Sequence, residues 1–240
     1  SCAFLMKKGK LYLVPTIIAE GTAGLVIPPQ ILSTLKDIHF FVTENARTAR
    51  RYLSSLKIYD SIEMLTFNVL DKETKEAELG MLMAPLEEGH NIGIISESGC
   101  PGVADPGAMA VRFAHQNGIT VIPLVGPSSI LLALMASGLN GQSFAFHGYL
   151  PIEAKEAAKK IKELEKESLH KNQTQLFIET PYRNNQILDY FLTSLKPNSQ
   201  LSIALDLTGP KEFIQTKSIE DWKLNKPTLP KEPAIFSFLA

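Results

Sequence analysis

The sequence predicts a two-domain α/β protein, with a mostly parallel sheet in its first half and a mixed sheet in its second. Three observations carry that expectation. Short β-rich runs alternate with helical patterns along the whole chain. Residues 91–96 (NIGIIS) hold an unbroken apolar run of the kind buried on both faces of a parallel sheet. The last three strand candidates follow one another without long helices between them, which implies antiparallel pairing. The halves meet near residue 125, giving domains 1–124 and 125–240.

Each element has its own warrant. Residues 11–15 form a short apolar strand. Pro28 and Pro29, then Ile31, Leu32 and Leu35, predict a helix entered at a proline, whose missing N–H costs nothing in a first turn. Residues 38–43 (IHFFVT) are a second strand, and 45–56 a helix carrying Arg47, Arg50 and Arg51. Residues 62–67 suggest a third strand, and 74–88 a helix. The fourth strand, 91–96, leads through a loop into a helix over 106–117, and 119–124 (ITVIPL) is the fifth. In the second half, 128–137 is an apolar helix that Gly138 can close. Residues 143–147 (SFAFH) are a strand. The Lys- and Glu-rich segment 152–171 is a helix with a solvated face and with Ile161, Leu164 and Leu169 turned inward. Strands over 175–179, 201–206, 212–217 and 234–239 complete the pattern, with a helix over 184–195.

Composition narrows the function. At roughly 100–200 residues per domain, 240 residues make one large domain or two small ones. A hydrophobic fraction of 45% is ordinary for a globular chain and predicts that all of it folds, without a disordered tail. The formal net charge of −1 does not advertise nucleic acid and, taken alone, favours a small-molecule enzyme. Two cysteines, Cys2 and Cys100, supply neither a metal-ligand spacing nor a disulfide framework, so no metal is expected and a reducing cytoplasm is. The longest apolar run, 130–136, is far too short to cross a bilayer, and the apolar opening residues precede Lys7 and Lys8, the reverse of a signal peptide.

The segment most informative about chemistry is 96–107 (SESGCPGVADPG), directly after the fourth strand. Ligands of open α/β sheets bind beyond the carboxyl ends of the strands. Gly99, Gly102 and Gly107 let backbone approach a ligand closely, and Asp105-Pro106 reads as an N-cap followed by a proline in the first turn. Three glycines and two prolines exceed what a bare strand-to-helix turn requires. No phosphate-binding G-x-x-x-x-G-K-[ST] and no dinucleotide-binding G-x-G-x-x-G is present. Cys100 has no local basic partner to make it a nucleophile. A second segment, Val125-Gly126-Pro127-Ser128-Ser129, follows the fifth strand and opens a helix, where amides and hydroxyls can cradle a carboxylate or a ribose.

The two segments together, with Gly148-Tyr149-Leu150-Pro151 and Phe177-Ile178-Glu179-Thr180-Pro181-Tyr182-Arg183, resemble the tetrapyrrole-methylase superfamily. Within it the chain is most similar to the bacterial branch that methylates the ribose 2′-hydroxyl of a cytidine in small-subunit ribosomal RNA. The resemblance runs from about residue 10 to 239 and is strongest over 92–151. It implies a tetrapyrrole-methylase-like fold of two α/β domains with a cofactor cleft between them, S-adenosylmethionine as cofactor, and a homodimer. It further implies that Gly99, Cys100, Gly102 and Val103 line the cofactor site with Ser128, Ser129 and Ile130. Thr180, Leu205, Asp206, Pro233 and Ala234 would complete it from the second domain, and Pro15 would border it.

The chain departs from that pattern on the acceptor side. Where the RNA-methylating branch has P-x-G-N, residues 15–21 read PTIIAEG, and its E-D-T-R appears as Glu44-Asn45-Ala46-Arg47. An expected polar cluster is Asn68-Val69-Leu70-Asp71, and an expected Arg-Glu pair is Leu205-Asp206. The precorrin-type branch fits worse, since its glycine-rich first loop is absent. Holding an acceptor in line with an activated methyl group can supply roughly 7–11 kcal/mol. A hydroxyl acceptor also gains from a base, for which Glu44 is the candidate, with Arg47 steering phosphate. Glu44 is equally readable as a surface carboxylate at a helix start. Tyr182 and Arg183 could grip RNA or simply begin the next helix, Asp105 reads as a cap, and His147 as a strand residue beside the cleft. The leading expectation is a methyltransferase acting on ribosomal RNA or the small ribosomal subunit. The alternatives are a methyltransferase for a small molecule or another RNA, and a non-catalytic S-adenosylmethionine-binding protein.

Overall fold

The structure, a computed structural model, describes residues 7–240, so Cys2 and the apolar opening residues lie outside the described residues. The chain divides into two compact units, one reaching Ser128 and one over Ser129–Ala240. The division falls after Ser128, beyond residue 124, because the chain following the fifth strand stays tied to the first unit. The Cys100 thiol donates to the Pro127 carbonyl at 3.3 Å, and Gly126 packs against the Pro15 ring.

The first unit runs β1 (Leu11–Leu13), α1 (Ala23–Val26), α2 (Pro29–Leu35), β2 (Phe40–Thr43), α3 (Ala46–Leu56), β3 (Thr66–Val69), α4 (Leu79–Leu82), α5 (Ala84–Glu87), β4 (Ile92–Ile95), α6 (Gly107–Gln116) and β5 (Val121–Pro123). Its sheet has the order β3-β2-β4-β1-β5, with every pairing parallel. The central β4 is buried throughout, as its apolar run predicts. Successive residues of a strand face opposite sides, so Phe41 joins Leu35 and Leu53 in one core while Val42 joins Ile92, Ile94 and Ala110 in another. Asn45 starts α3 by accepting from the Thr48 amide at 3.2 Å.

Two expectations shift here. The third strand begins at Thr66 rather than residue 62, because Ser61 caps a 3₁₀ turn over Ile62–Met64. The helix expected over 74–88 is broken into a 3₁₀ turn, α4 and α5. Pro85 cannot donate the hydrogen bond a continuous helix would need there.

The second unit runs α7 (Ser129–Ser137), β6 (Phe144–Phe146), α8 (Ala154–Lys171), β7 (Thr174–Glu179), α9 (Asn184–Ser194), β8 (Gln200–Leu205), β9 (Phe213–Ser218), α10 (Ile219–Leu224) and β10 (Ala234–Leu239). The sheet order is β6-β7-β10-β8-β9; β6 and β7 are parallel, and the remaining pairings are antiparallel. One face buries Phe177, Phe191, Phe236 and Phe238 with Trp222, and the other packs Ala133 and Leu134 of α7 on Leu176, Ala204 and Ile235. Leu169 is exposed rather than inward; Ser168 takes the buried position and accepts from the Ala240 amide at 2.9 Å. The sequence reading missed α10, a short helix capped by Ser218 and anchored by the Trp222 indole donating to the Leu201 carbonyl at 2.8 Å.

Candidate active site

A sheet whose strands are all parallel gathers its carboxyl ends along one edge, and the first unit's candidate residues lie there. β4, β1 and β5 are adjacent, so the segments following them meet. The Thr16 amide donates to the Gly99 carbonyl at 3.0 Å. The Tyr52 hydroxyl, from α3, donates to the Pro15 carbonyl at 2.9 Å, and burial pushes that phenol well up. A Cβ on Gly126 would sit 2.1 Å from that of Pro15, so only glycine allows this approach. Gly99 has φ +65°, and a Cβ there would meet the Pro127 carbonyl oxygen at 3.0 Å. Pro15, Gly99 and Cys100 are thus brought together, with Gly126 and Pro127 as partners. Burial raises the Cys100 thiol pKa, which disfavours the thiolate a nucleophile needs.

The rest of the loop is shaped by Asp105. Its carboxylate accepts from the Gly102 amide at 2.9 Å and the Gly107 amide at 2.8 Å. The expected N-cap shifts by one residue: α6 begins at Gly107 and Pro106 takes the N-cap position, while Asp105, one residue before it, holds the first helical amide. Gly102 has φ +83° with open space where a Cβ would stand, and Val103 is exposed. Burial raises the Asp105 pKa, and its two amide bonds oppose that. Under this loop, Leu13, Val111, Arg112 and His115 help wall a groove of about 620 Å³.

Glu44 follows β2 on the same edge and borders a small cavity with Ser96 and Asp105. Its carboxyl pKa is raised, first by burial, then by the nearby charges of Glu97 and Asp105; Lys72 pulls it down and Asp71 pushes it up. The cation that bears on Glu44 is therefore Lys72. Among the described residues no ion pair joins Glu44 to the exposed Arg47.

In the second unit, register brings the expected residues to one end of the sheet. Ala234 stands opposite Glu179 on one side and Leu205 on the other, so Thr180, Leu205, Asp206, Pro233 and Ala234 cluster. The Asp206 amide donates to the Pro233 carbonyl at 3.0 Å, and its carboxylate accepts from the Lys211 amide at 2.9 Å. That side chain closes its own turn, and Leu205 is buried in the core, so both present backbone. Ser129 and Ile130 open α7 on the sheet face of the second unit.

Glu179 was missed as a functional candidate. It is buried; one carboxylate oxygen accepts from the Thr180 amide at 3.0 Å and pairs with Arg183 at 3.5 Å, while the other has no partner. An acid at the end of a strand, four residues before an arginine, was the signal available. Arg183 also donates to the Pro151 carbonyl, so it is a structural residue, whereas Tyr182 is exposed. His147 bonds Gln175 and stacks on Phe177, and burial lowers its pKa. Among the described residues no cluster could hold a metal ion, and no helix is long and apolar enough to cross a membrane.

No protein-family model matches the chain. Solved structures share its fold. The methyltransferase CobJ aligns at TM-score 0.60 and 15% identity over 95% of this chain and 93% of that one. The uroporphyrin-III-C-methyltransferase from Thermus thermophilus aligns at 0.53 and 18%, over 96% and 92%. Two α/β units, a parallel and a mixed sheet, and a glycine-rich loop after β4 define the tetrapyrrole-methyltransferase fold class. By sequence, the chain is 33% identical to the ribosomal RNA small subunit methyltransferase I of Vibrio cholerae over 85% of this chain and 67% of the relative. It is 31% identical to the protein of that name from Halalkalibacterium halodurans, over 89% and 70%. The chain belongs to the ribosomal RNA small subunit methyltransferase I family and is a methyltransferase.

Proposed function

We propose that this chain methylates a ribose hydroxyl in small-subunit ribosomal RNA, using S-adenosylmethionine, and works as a cytoplasmic homodimer. The ribosomal RNA acceptor is supported by what the relatives are named for, methylation of small-subunit ribosomal RNA, whereas the acceptor-side loops of this chain diverge from the family pattern. One observation supports the cofactor assignment: the segments after β1, β4 and β5 interlock through Thr16, Gly99, Cys100 and Pro127 while leaving Gly102 and Val103 open. An open glycine cradle fits a small ligand approached by backbone. The orphaned Glu179 oxygen beside Thr180 fits a polar ligand at the second set.

S-adenosylmethionine, when bound, supplies an activated methyl group. Pro15, Gly99, Cys100, Gly102 and Val103 of the first unit would hold it, with Ser128, Ser129 and Ile130. Thr180, Pro233 and Ala234 would contribute from the second unit, and Leu205 and Asp206 through backbone. Glu44 would take the proton that the acceptor hydroxyl gives up, and exposed Arg47 would steer phosphate.

The test is to incubate the protein with methyl-labelled S-adenosylmethionine and small ribosomal subunits lacking their late methylations. Label in the RNA, mapped to a ribose, is expected. No label from a protein that binds the cofactor in the same sample would overturn the acceptor.

A further inference from the structure

The exposed face of α3 concentrates arginine. Of the 24 basic residues in the chain only five are arginines, and three of those, Arg47, Arg50 and Arg51, fall within five positions. Spaced i, i+3 and i+4, they share one face of α3, and all three are exposed. The helix contains no acidic residue. Among the described residues none of the three forms an ion pair. Glu20 and Glu97 line a pocket with Arg51, yet neither pairs with it.

The arrangement works against the helix that carries it. Arg47 stands in the first turn, where the helix dipole disfavours a cation. Arg50 and Arg51 stand one turn further on, where each repels Arg47. The other highly charged helix, α8, shows how such repulsion is ordinarily relieved. Its six lysines are interleaved with four glutamates, and Lys171 pairs with Glu167 at 3.6 Å. One arginine of α3 is also oriented in advance. The Arg50 guanidinium lies 5.1 Å from the centre of the Phe67 ring. Stacking occupies the flat face of a guanidinium and leaves its N–H edges free to donate. A guanidinium grips phosphate oxygens bidentately, whereas an ammonium acts as a point charge. Unpaired arginines on one face therefore match a polyanion whose charges are phosphates. The helix begins two residues after Glu44, so this ridge leads away from the candidate base.

We propose that Arg47, Arg50 and Arg51 form a track for the sugar–phosphate backbone of the RNA beside the acceptor nucleotide, so that the strand leaves the site along α3. The track positions the strand without reading its sequence. The assignment rests on the reading that the acceptor is RNA. It adds the path of the strand and gives a role to Arg50 and Arg51, which lie beyond the four residues that match the E-D-T-R pattern.

The experiment measures binding of a short labelled oligouridylate by fluorescence anisotropy across a salt series. It compares the unaltered protein with Arg50→Gln/Arg51→Gln and with Lys159→Gln/Lys162→Gln, which removes the same charge from an exposed face of α8. Three phosphate contacts at about 0.7 each predict that affinity falls about 20-fold between about 50 and 200 mM salt, and only about 3-fold once two contacts are lost. The α8 variant should keep the full salt dependence. Arg51→Lys should restore the slope for its position, because the charge remains, but not the whole affinity. Arg51→Gln should melt no lower than the unaltered protein, since Gln is as good a helix former and relieves the repulsion of Arg47. No binding, an unchanged slope in the α3 variant, or an equal loss in the α8 variant overturns the proposal. Vesicles of phosphatidylglycerol that bind as tightly, with the same loss in the α3 variant, would assign the ridge to a membrane and overturn it too. Methyl transfer to small ribosomal subunits is assayed in parallel. Transfer by a protein whose salt slope ignores Arg50 and Arg51 sinks the track alone, whereas a track that binds without any transfer stands and sinks the ribosomal acceptor.

Discussion

If Glu44 is the base proposed above, activity and stability are set against each other by one proton. Burial and the neighbouring carboxylates of Glu97 and Asp105 raise its pKa above the ordinary 4.5. A base must be ionised, so kcat/KM should rise with pH through an acid limb lying above the usual carboxylate range. The stability contribution runs the other way. A folded pKa above the unfolded one means the native state holds the proton more tightly. That contribution is full below about 4.5 and fades as pH rises through the folded value. Glu44→Gln should cost about 10²–10⁴-fold in rate and flatten the acid limb, with no loss of stability at neutral pH. A pH–rate profile with a denaturant titration checks both, and an unchanged rate would remove Glu44 from the mechanism.

The loop between β4 and α6 acts as one element because Asp105 ties its two ends, the Gly102 and Gly107 amides. Asp105→Ala should cost about 1 kcal/mol of stability, the usual worth of a side-chain cap. It should weaken S-adenosylmethionine more than that, because Gly102 loses its fixed position. Asp105→Asn keeps one acceptor oxygen and should fall between. Calorimetry beside urea unfolding separates the two effects, and an unchanged affinity for Asp105→Ala would place the cofactor elsewhere. The tie was half legible: Asp-Pro signalled a helix start, but nothing in the residue type announced that Ala104 would take φ +60°. Helix interiors were legible where apolar residues marked them. On α8 the buried stripe is Ile161, Leu164, Glu165 and Ser168, spaced i, i+3, i+4 and i+7. Two of its members are polar, so Leu169 drew the eye instead. Glu165 is held there by the Lys196 amide and the Ser199 hydroxyl, long-range partners that local sequence does not reveal.

For the whole molecule, the two units differ in how far their site residues could be read. Those of the first unit sit in short segments directly after apolar strands, and parallel pairing gathers such segments along one edge. Those of the second unit come from three strands far apart in sequence. Only the register of Ala234 against Glu179 and Leu205 brings them together, and no local pattern encodes it, so resemblance to a family had to supply it. If both sets bind one cofactor, altering either should abolish its linkage to stability. A ligand at about 100 times its Kd stabilises by about 2.7 kcal/mol. For a chain of this size that is a rise in Tm of about 5–10 °C. Thr180→Lys changes an exposed position and should leave the ligand-free melt alone. Gly102→Val forces a branched side chain to φ +83° and should lower that melt slightly. Each variant should lose most of the ligand-induced rise, as read by scanning calorimetry with and without S-adenosylmethionine. A rise retained in Thr180→Lys but lost in Gly102→Val would confine the cofactor to the first unit, and the cluster at the end of the second sheet would then need another occupant.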